Sequence, residues 1–270
     1  MIFYFCLIII AMDFIDTHSH LYAEEFEADR EEAVRRCFEA GVNRLILPDI
    51  DATSRQAMLD LAEAYPKQFF PCAGLHPTSV DGKYKTALKE VEKMLASGRE
   101  FAAVGEIGTD LYWDQTFERE QFDAFVVQVG WAKDLGLPII VHIRNSMDKT
   151  IEALEPLADS RLRGVFHCFS GTVEQARRAI EMGFMLGIGG VLTFKKSDLP
   201  TVVEQIDMRH LLLETDCPYL APAPNRGKRN ESSFLPFVAQ KLSEIKGISI
   251  EDVAAKTTAN AERMFNCGHV

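Results

Sequence analysis

The sequence predicts an α/β protein built as a single (β/α)8 TIM barrel, and three observations predict it. Eight short runs are apolar almost throughout, the signature of strands buried on both faces of a parallel sheet. Segments with apolar residues at helical spacing lie between them, and the strands recur about every 20 to 36 residues, as βα units require. The chain has 270 residues, close to the roughly 250 usual for such a barrel.

The first run, 13–20 (Asp-Phe-Ile-Asp-Thr-His-Ser-His), precedes a helical segment over 26–40 that ends at Gly41, a C-cap residue. Residues 44–50 (RLILPDI) form the second strand, and the helix over 54–65 stops before Pro66. The third strand, 69–75 (FFPCAGL), leads to a helix over 85–97, and the fourth, 102–108 (AAVGEIG), to one over 118–135. Strands over 138–144, 164–170, 185–190 and 211–216 then alternate with helices over 147–157, 173–182 and 197–206. Two further helices, 234–245 and 250–265, complete the pattern. A doubly wound open sheet is the alternative, but no Gly-rich phosphate loop follows the first strand, which disfavours a dinucleotide site. Residues 13–266 carry no internal repeat, linker or boundary and read as one domain.

The chain is 47% hydrophobic and 26% charged, and its 29 basic against 40 acidic residues leave a formal charge of −11. A protein this acidic does not coat duplex DNA through counterion release, so contact with nucleic acid would be local, through bound cations and a few basic side chains. The same charge argues against a non-catalytic nucleic-acid-binding module. Six cysteines (Cys6, Cys37, Cys72, Cys168, Cys217, Cys267) are scattered without a Cys-x-x-Cys pair, as expected of reduced thiols in a cytoplasmic protein. Residues 1–12 (MIFYFCLIIIAM) form an apolar N-terminal extension, too short to span a bilayer and without the basic start or cleavage site of a secretory signal. Three readings stay open for it: an upstream addition with Met12 as the working start, a strand or plug below the fold, or a membrane-tethering stub. No stable membrane association is expected.

Catalytic side chains in such a barrel come from the C-terminal ends of the strands. Those ends carry His18 and His20 on the first strand, His76 after the third, Glu106 on the fourth, His142 on the fifth, His167 on the sixth and Asp216 after the eighth. Of seven histidines only His210 and His269 fall elsewhere. His18 and His20 are two residues apart on a strand and so face the same side. Each residue taken singly has a bland reading: a hydrogen-bonded core histidine, a glutamate in an ion pair, an aspartate capping a helix. Four histidines with Glu106 and Asp216 at one end of one barrel resist that reading, because unpaired buried polar groups are costly. Six N/O ligands exceed what one tetrahedral ion needs, and a carboxylate can bridge two ions about 3.5 to 4 Å apart. The set therefore predicts two divalent ions, magnesium, zinc or manganese; imidazole-rich ligation suits zinc, manganese or iron-like ions, and an all-oxygen magnesium cage would look different.

These motifs resemble the TatD family of metal-dependent deoxyribonucleases, within the amidohydrolase-like barrels. The resemblance runs from about Asp13 to Phe265 and rests on Asp-Thr-His-Ser-His (16–20), Gly-Leu-His-Pro (74–77), Gly-Glu-Ile-Gly (105–108), His-Ile-Arg (142–144) and Phe-His-Cys-Phe-Ser-Gly (166–171). It continues through Glu-Thr-Asp-Cys-Pro-Tyr-Leu (214–220), Arg-Gly-Lys-Arg-Asn (226–230) and Thr-x-Asn-Ala-x-x-x-Phe (258–265). The resemblance implies one ion held by His18, His20 and Asp216, a second held by His142 and His167, Glu106 bridging them, and His76 facing the scissile phosphate. It also implies Mg2+-stimulated hydrolysis of DNA, often from the 3′ end of single strands. Similar barrels that cleave amides or phosphotriesters often bridge their metals with a carboxylated lysine, so Glu106 favours the TatD branch. Asn225, Thr109 and Asn145 depart from the family pattern, and none is an expected ligand.

On this reading Glu106, Asp216 and His76 are catalytic. Asp216 would orient or deprotonate the nucleophile, and His76 would hydrogen-bond the phosphate or protonate the leaving oxygen. Arg144, Lys195, Lys196, Arg226, Lys228 and Arg229 would hold flanking phosphates, while Tyr112 and Trp113 would stack on a base, or else pack in the core or as a lid. The competing expectation is a two-metal hydrolase of a small phosphoester, an amide or an aminoacyl-tRNA ester, because one metal-bearing barrel serves many reactions.

Overall fold

A computed structural model describes residues 12–268. Residues 1–11, most of the apolar extension, and His269 lie outside the described residues. Three strands come first, β1 (Phe14–Asp16), β2 (Val42–Leu47) and β3 (Phe69–Pro71), linked by α1 (Arg30–Glu39) and α2 (Arg55–Ala64). Helix α3 (Tyr84–Leu95) leads to β4 (Val104–Asp110), followed by α4 (Glu118–Leu135), β5 (Ile139–Arg144), α5 (Met147–Leu154) and β6 (Gly164–Phe166). Then come α6 (Val173–Glu181), β7 (Phe184–Ile188), α7 (Leu199–Glu204), β8 (Leu211–Leu213), α8 (Leu235–Lys246) and α9 (Ile250–Phe265).

All strand pairs are parallel, in ladders β1-β2-β3 and β4-β5-β6-β7-β8. Single bridges, Ala73 with Val104 and Ser19 with Cys217, bring the two ladders together on both sides. Thr17 donates its amide to Leu213 O at 3.0 Å and Asp216 donates to His18 O at 2.9 Å, so the first and eighth strands meet. This is the α/β barrel architecture expected from the alternation of runs.

The alternation of side chains builds two apolar layers. Outward residues such as Leu45, Ile107, Val141, Leu186 and Leu213 pack under the helices. Inward, Ile15, Ile46, Cys72, Ala103, Ile140, Val165, Met185 and Leu212 fill the barrel, and Ala261, Met264 and Phe265 of α9 close that layer. Arg44 is buried, pairing with Asp13 at 2.5 Å and Glu262 at 2.7 Å. His142 and His167 stand two residues beyond Ile140 and Val165, hence on the same inward side, one layer higher.

Most ladders are shorter than the apolar runs, whereas β4 extends two residues past its read end, to Asp110. The first run extends to His20 but its ladder ends at Asp16, and those read to Ser170 and Asp216 end at Phe166 and Leu213. Beyond these points the chain turns: Asn145, Cys168 and Asp216 hold positive φ of 57°, 46° and 56°. Left-handed backbone at non-glycine residues is strained and clusters where a site over-determines it. The helical segment read from residue 26 begins at Arg30, because Glu24–Phe26 forms a separate 3-10 turn.

Candidate metal centre

Glu106 reaches the centre through an irregularity in β4. The register shifts between Val104 and Ile107, both of which face the outer core. A bulge of this kind re-aims one side chain without ending the strand. The Glu106 carboxylate, 2% exposed, is thereby placed among imidazoles.

Its two oxygens face different histidines. Oε2 lies 3.1 Å from His18 Nε2 and 3.6 Å from His20 Nε2. Oε1 lies 2.7 Å from His142 Nδ1, 3.4 Å from His76 Nε2 and 3.7 Å from His167 Nε2. Asp216 Oδ1 stands 3.8 Å from His18 Nε2, 3.6 Å from His20 Nε2 and 3.9 Å from His167 Nε2. The structure thus brings together His18, His20, His76, Glu106, His142, His167 and Asp216. The His18 and His167 rings stack with centroids 3.4 Å apart, so the histidines read as serving separate ions are in contact.

Outer contacts fix which nitrogen carries the proton in two of the rings, His20 and His76. Tyr22 Oη donates to Pro48 O, so the hydroxyl accepts from His20 Nδ1 at 2.7 Å and leaves Nε2 as a lone pair. His142 has a carboxylate oxygen at each nitrogen, Asp110 Oδ2 3.0 Å from Nε2 and Glu106 Oε1 2.7 Å from Nδ1. His167 Nδ1 lies 3.1 Å from Glu214 Oε1 without a hydrogen bond, so these contacts select no tautomer for either ring. His76 is reversed: its Nδ1 accepts from the Thr78 amide at 3.2 Å, which puts the proton on Nε2. Distance alone also groups His76 with Glu106 and His142 as metal-capable; the Thr78 contact makes it a donor instead. His18 Nδ1 is buried without a partner.

The electrostatics follow from burial among opposed charges. Burial lowers His18 well below the ordinary imidazole value and His20 to about 4. Burial pulls His167 down too, but Glu214, Glu106 and Asp216 outweigh it and carry it up to about 10. His142, desolvated yet held between Asp110 and Glu106, is also raised. Desolvation opposes ionisation of Glu106, but the surrounding histidines hold it well below the usual carboxylate range. Burial pushes Asp216 up to about 7 against the pull of His167, with Glu106 and Glu214 adding to the rise.

Such a donor set fits divalent cations. His18 and His20 direct their Nε2 atoms to one point, 3.0 Å apart, beside two carboxylates. Buried imidazoles and carboxylates that converge on a shared point are the ligands that a zinc-type ion takes, and a cation there would displace the protons that His142 and His167 hold in its absence. Distance alone groups His18, His20 and Asp216, and separately His18, Glu106 and His167, as metal-capable.

Sequence reading passed over Asp110, Glu214 and Tyr22. The available signal was strand parity: Asp110 lies four residues beyond Glu106 and Glu214 two before Asp216. Glu214, fully buried, fits because residue 187 is glycine, where a Cβ would stand 2.0 Å from Glu214 Oε2. The expected phosphate contacts divide. Arg144 is exposed and lies 3.9 Å from the Tyr112 ring and 5.0 Å from the Trp113 ring, which are 52% and 69% exposed. Exposed Arg226 stacks on Phe194 at 3.5 Å, and Lys195, Lys196 and Lys228 are exposed. Arg229 differs from expectation: its guanidinium is committed to Asp29 at 2.6 Å and Glu231 at 2.9 Å.

Residues 15–266 match the family model described as TatD related DNase. The metal-dependent hydrolase YabD of Bacillus subtilis is 36% identical over 251 residues, covering 93% of this chain and 98% of that protein. A protein of Escherichia fergusonii named 3'-5' ssDNA/RNA exonuclease TatD is 32% identical, covering 93% of this chain and 98% of its own. Among solved structures, YjjV of Escherichia coli K12, a TatD homolog, superposes with a TM-score of 0.88 at 32% identity over 95% of this chain and 99% of that one. An Escherichia coli phosphotriesterase homology protein shares the fold at a TM-score of 0.69 and 17% identity, covering 94% and 99% of the two chains.

Proposed function

This chain belongs to the TatD family of metal-dependent hydrolases, and from that premise we propose that it removes nucleotides hydrolytically from the 3′ end of single-stranded DNA, with two divalent ions at its centre. One observation carries the reading: the Glu106 carboxylate is shared by imidazoles at both oxygens, beside a rim where Arg144 stacks on exposed Tyr112 and Trp113. An aromatic and cationic rim suits unpaired bases and a phosphate backbone. The relative named as a 3'-5' ssDNA/RNA exonuclease supports the substrate class.

His18, His20 and Asp216 would hold one ion and His142 and His167 the other, with Glu106 between them. When bound, magnesium, zinc or manganese would supply a water of lowered pKa and positive charge for the phosphoryl oxygens. Asp216, facing His18 and His20, orients the attacking water and takes its proton. His76 presents Nε2–H to the scissile phosphate or the leaving oxygen. Arg144, Arg226 and Lys228 hold flanking phosphates. Arg229 instead ties its loop to Asp29 and Glu231. The formal charge of −11 confines DNA contact to this rim. The free thiols Cys37, Cys72, Cys168, Cys217 and Cys267 support a cytoplasmic location, and no helix among the described residues is long and apolar enough to cross a membrane.

The test is cleavage of end-labelled single- and double-stranded DNA with Mg2+, Mn2+ or Zn2+, beside Glu106→Ala and His142→Ala. Stepwise loss from the 3′ end, faster on single strands and absent in both variants, is expected. A folded, metal-loaded protein that leaves DNA intact would replace this reading with hydrolysis of a small phosphoester or an aminoacyl ester.

A further inference from the structure

The far nitrogens of the ligand-type histidines are not treated alike, and the difference follows the two oxygens of Glu106. On the Oε1 side, His142 Nε2 lies 3.0 Å from Asp110 Oδ2 and His167 Nδ1 lies 3.1 Å from Glu214 Oε1. On the Oε2 side, His20 Nδ1 meets the neutral hydroxyl of Tyr22 at 2.7 Å. Neither His18 Nδ1 nor His167 Nδ1 has a hydrogen-bond partner among the described residues, but only His167 has a carboxylate oxygen beside that nitrogen. Among the described residues, two carboxylates stand behind one pair of imidazoles, one hydrogen-bonded and one as a charge 3.1 Å away, while a phenol stands behind the other pair.

Both outer carboxylates are fixed. Glu214 Oε1 also accepts from the Cys168 amide at 2.5 Å, and Asp110 Oδ1 accepts from the Tyr112 amide at 3.0 Å and the Trp113 amide at 3.3 Å. Asp110 is 2% and Glu214 0% exposed, so solvent screens their charges weakly. A carboxylate behind a ligating imidazole orients the ring and raises its basicity. It also adds charge. Glu106 is shared, so the Oε1 side gains Asp110 and Glu214 while the Oε2 side gains only Asp216.

We propose that Asp110 and Glu214 are positioning residues that make the His142/His167 position the tighter of two ion positions, filled first, and leave the His18/His20/Asp216 position weaker and exchangeable. The proposal rests on the two-ion reading given above.

Mn2+ titration of the full chain tests it, with calorimetry for affinity and electron paramagnetic resonance for free ion. The parent should show two separable steps. Glu214→Gln and Asp110→Asn keep side-chain shape and remove charge, so each should weaken the tighter step roughly 10- to 100-fold while the weaker step stays. Tyr22→Phe should move only the weaker step. A merely structural role would lower the melting temperature and shift both steps together. Asp110→Asn carries the test alone should Glu214→Gln fail to fold. Two equal steps in the parent, or a tighter step unmoved by either carboxylate variant, overturns the order. Uptake of a single ion by the parent overturns the two-ion reading and the order with it.

Discussion

The backbone amide of Thr78 donates to Nδ1 of His76 at 3.2 Å, and Thr78 Oγ1 lies 2.6 Å from the same nitrogen. That contact separates His76 from the other imidazoles of the centre. Its proton sits on Nε2, 3.4 Å from Glu106 Oε1, and burial lowers its pKa, so the ring is a neutral donor. His76→Ala should therefore cut kcat by about 10^2- to 10^3-fold, the range for losing one hydrogen-bond donor to developing charge, with metal content unchanged. Turnover on an oligonucleotide beside elemental analysis checks this. Loss of an ion with the activity would make His76 a ligand.

Tyr112 and Trp113 are solvent-facing aromatics held edge to face, ring centroids 4.9 Å apart, with Arg144 across them. Exposed aromatic faces are stacking platforms for bases, each base contributing about 1–3 kcal/mol. The Tyr112→Ala/Trp113→Ala double variant should raise KM for a single-stranded oligonucleotide at least about fivefold, the lower end of that range, and leave kcat near the parent value. KM for a small aryl phosphodiester, which has no base to stack, should not move. Equal loss on both substrates would make these residues a lid over the chemistry instead.

The centre was legible in the sequence to the extent that its residues mark themselves. Seven chemistry-bearing side chains fall at the ends of apolar runs, and strand parity puts His18 and His20 on one face. The bounds of α4 agree because Glu118 to Leu135 is bracketed by an acidic first turn and Gly136 in a left-handed cap. What stayed hidden lies in contacts between distant segments. Asp110 meets His142 from 32 residues away; strand parity can place its side chain on the inward face but does not show which imidazole it meets. Arg229 read as a phosphate contact because its loop follows the eighth strand. Its partner Asp29 lies 200 residues earlier, and nothing near either residue announces the pair. The β4 irregularity that turns Glu106 inward was equally silent, since the run 102–108 reads as uninterrupted strand.

Gly187 on β7 and Glu214 after β8 form a pair in which one residue's lack of a side chain makes room for the other's. A Cβ at 187 would stand 2.0 Å from Glu214 Oε2 and 2.6 Å from its Cδ. Gly187→Ala should cost about 1–3 kcal/mol, the range for overpacking a full core. Urea denaturation measures it. In a Glu214→Ala background the same substitution should cost clearly less, because the clashing atoms are gone. Equal cost in both backgrounds would locate the strain elsewhere.

Asp49 offers a pH-dependent contribution outside the cluster of histidines. It is fully buried; Oδ2 accepts from Arg55 Nε at 2.9 Å and from the Gly74 amide at 3.2 Å, while Oδ1 has no hydrogen-bond partner. Burial pushes its pKa up to about 7 against the pull of Arg55. The folded value lies above the unfolded carboxylate value of about 4, so the folded chain binds this proton more tightly. The stabilisation is complete below about pH 4 and is lost as pH rises towards about 7. Asp49→Asn should remove that slope: relative to the parent, the variant gains stability between about pH 5 and about pH 8. Urea midpoints at the two pH values give the comparison. Parallel curves for parent and variant would mean that Arg55 keeps Asp49 ionised throughout.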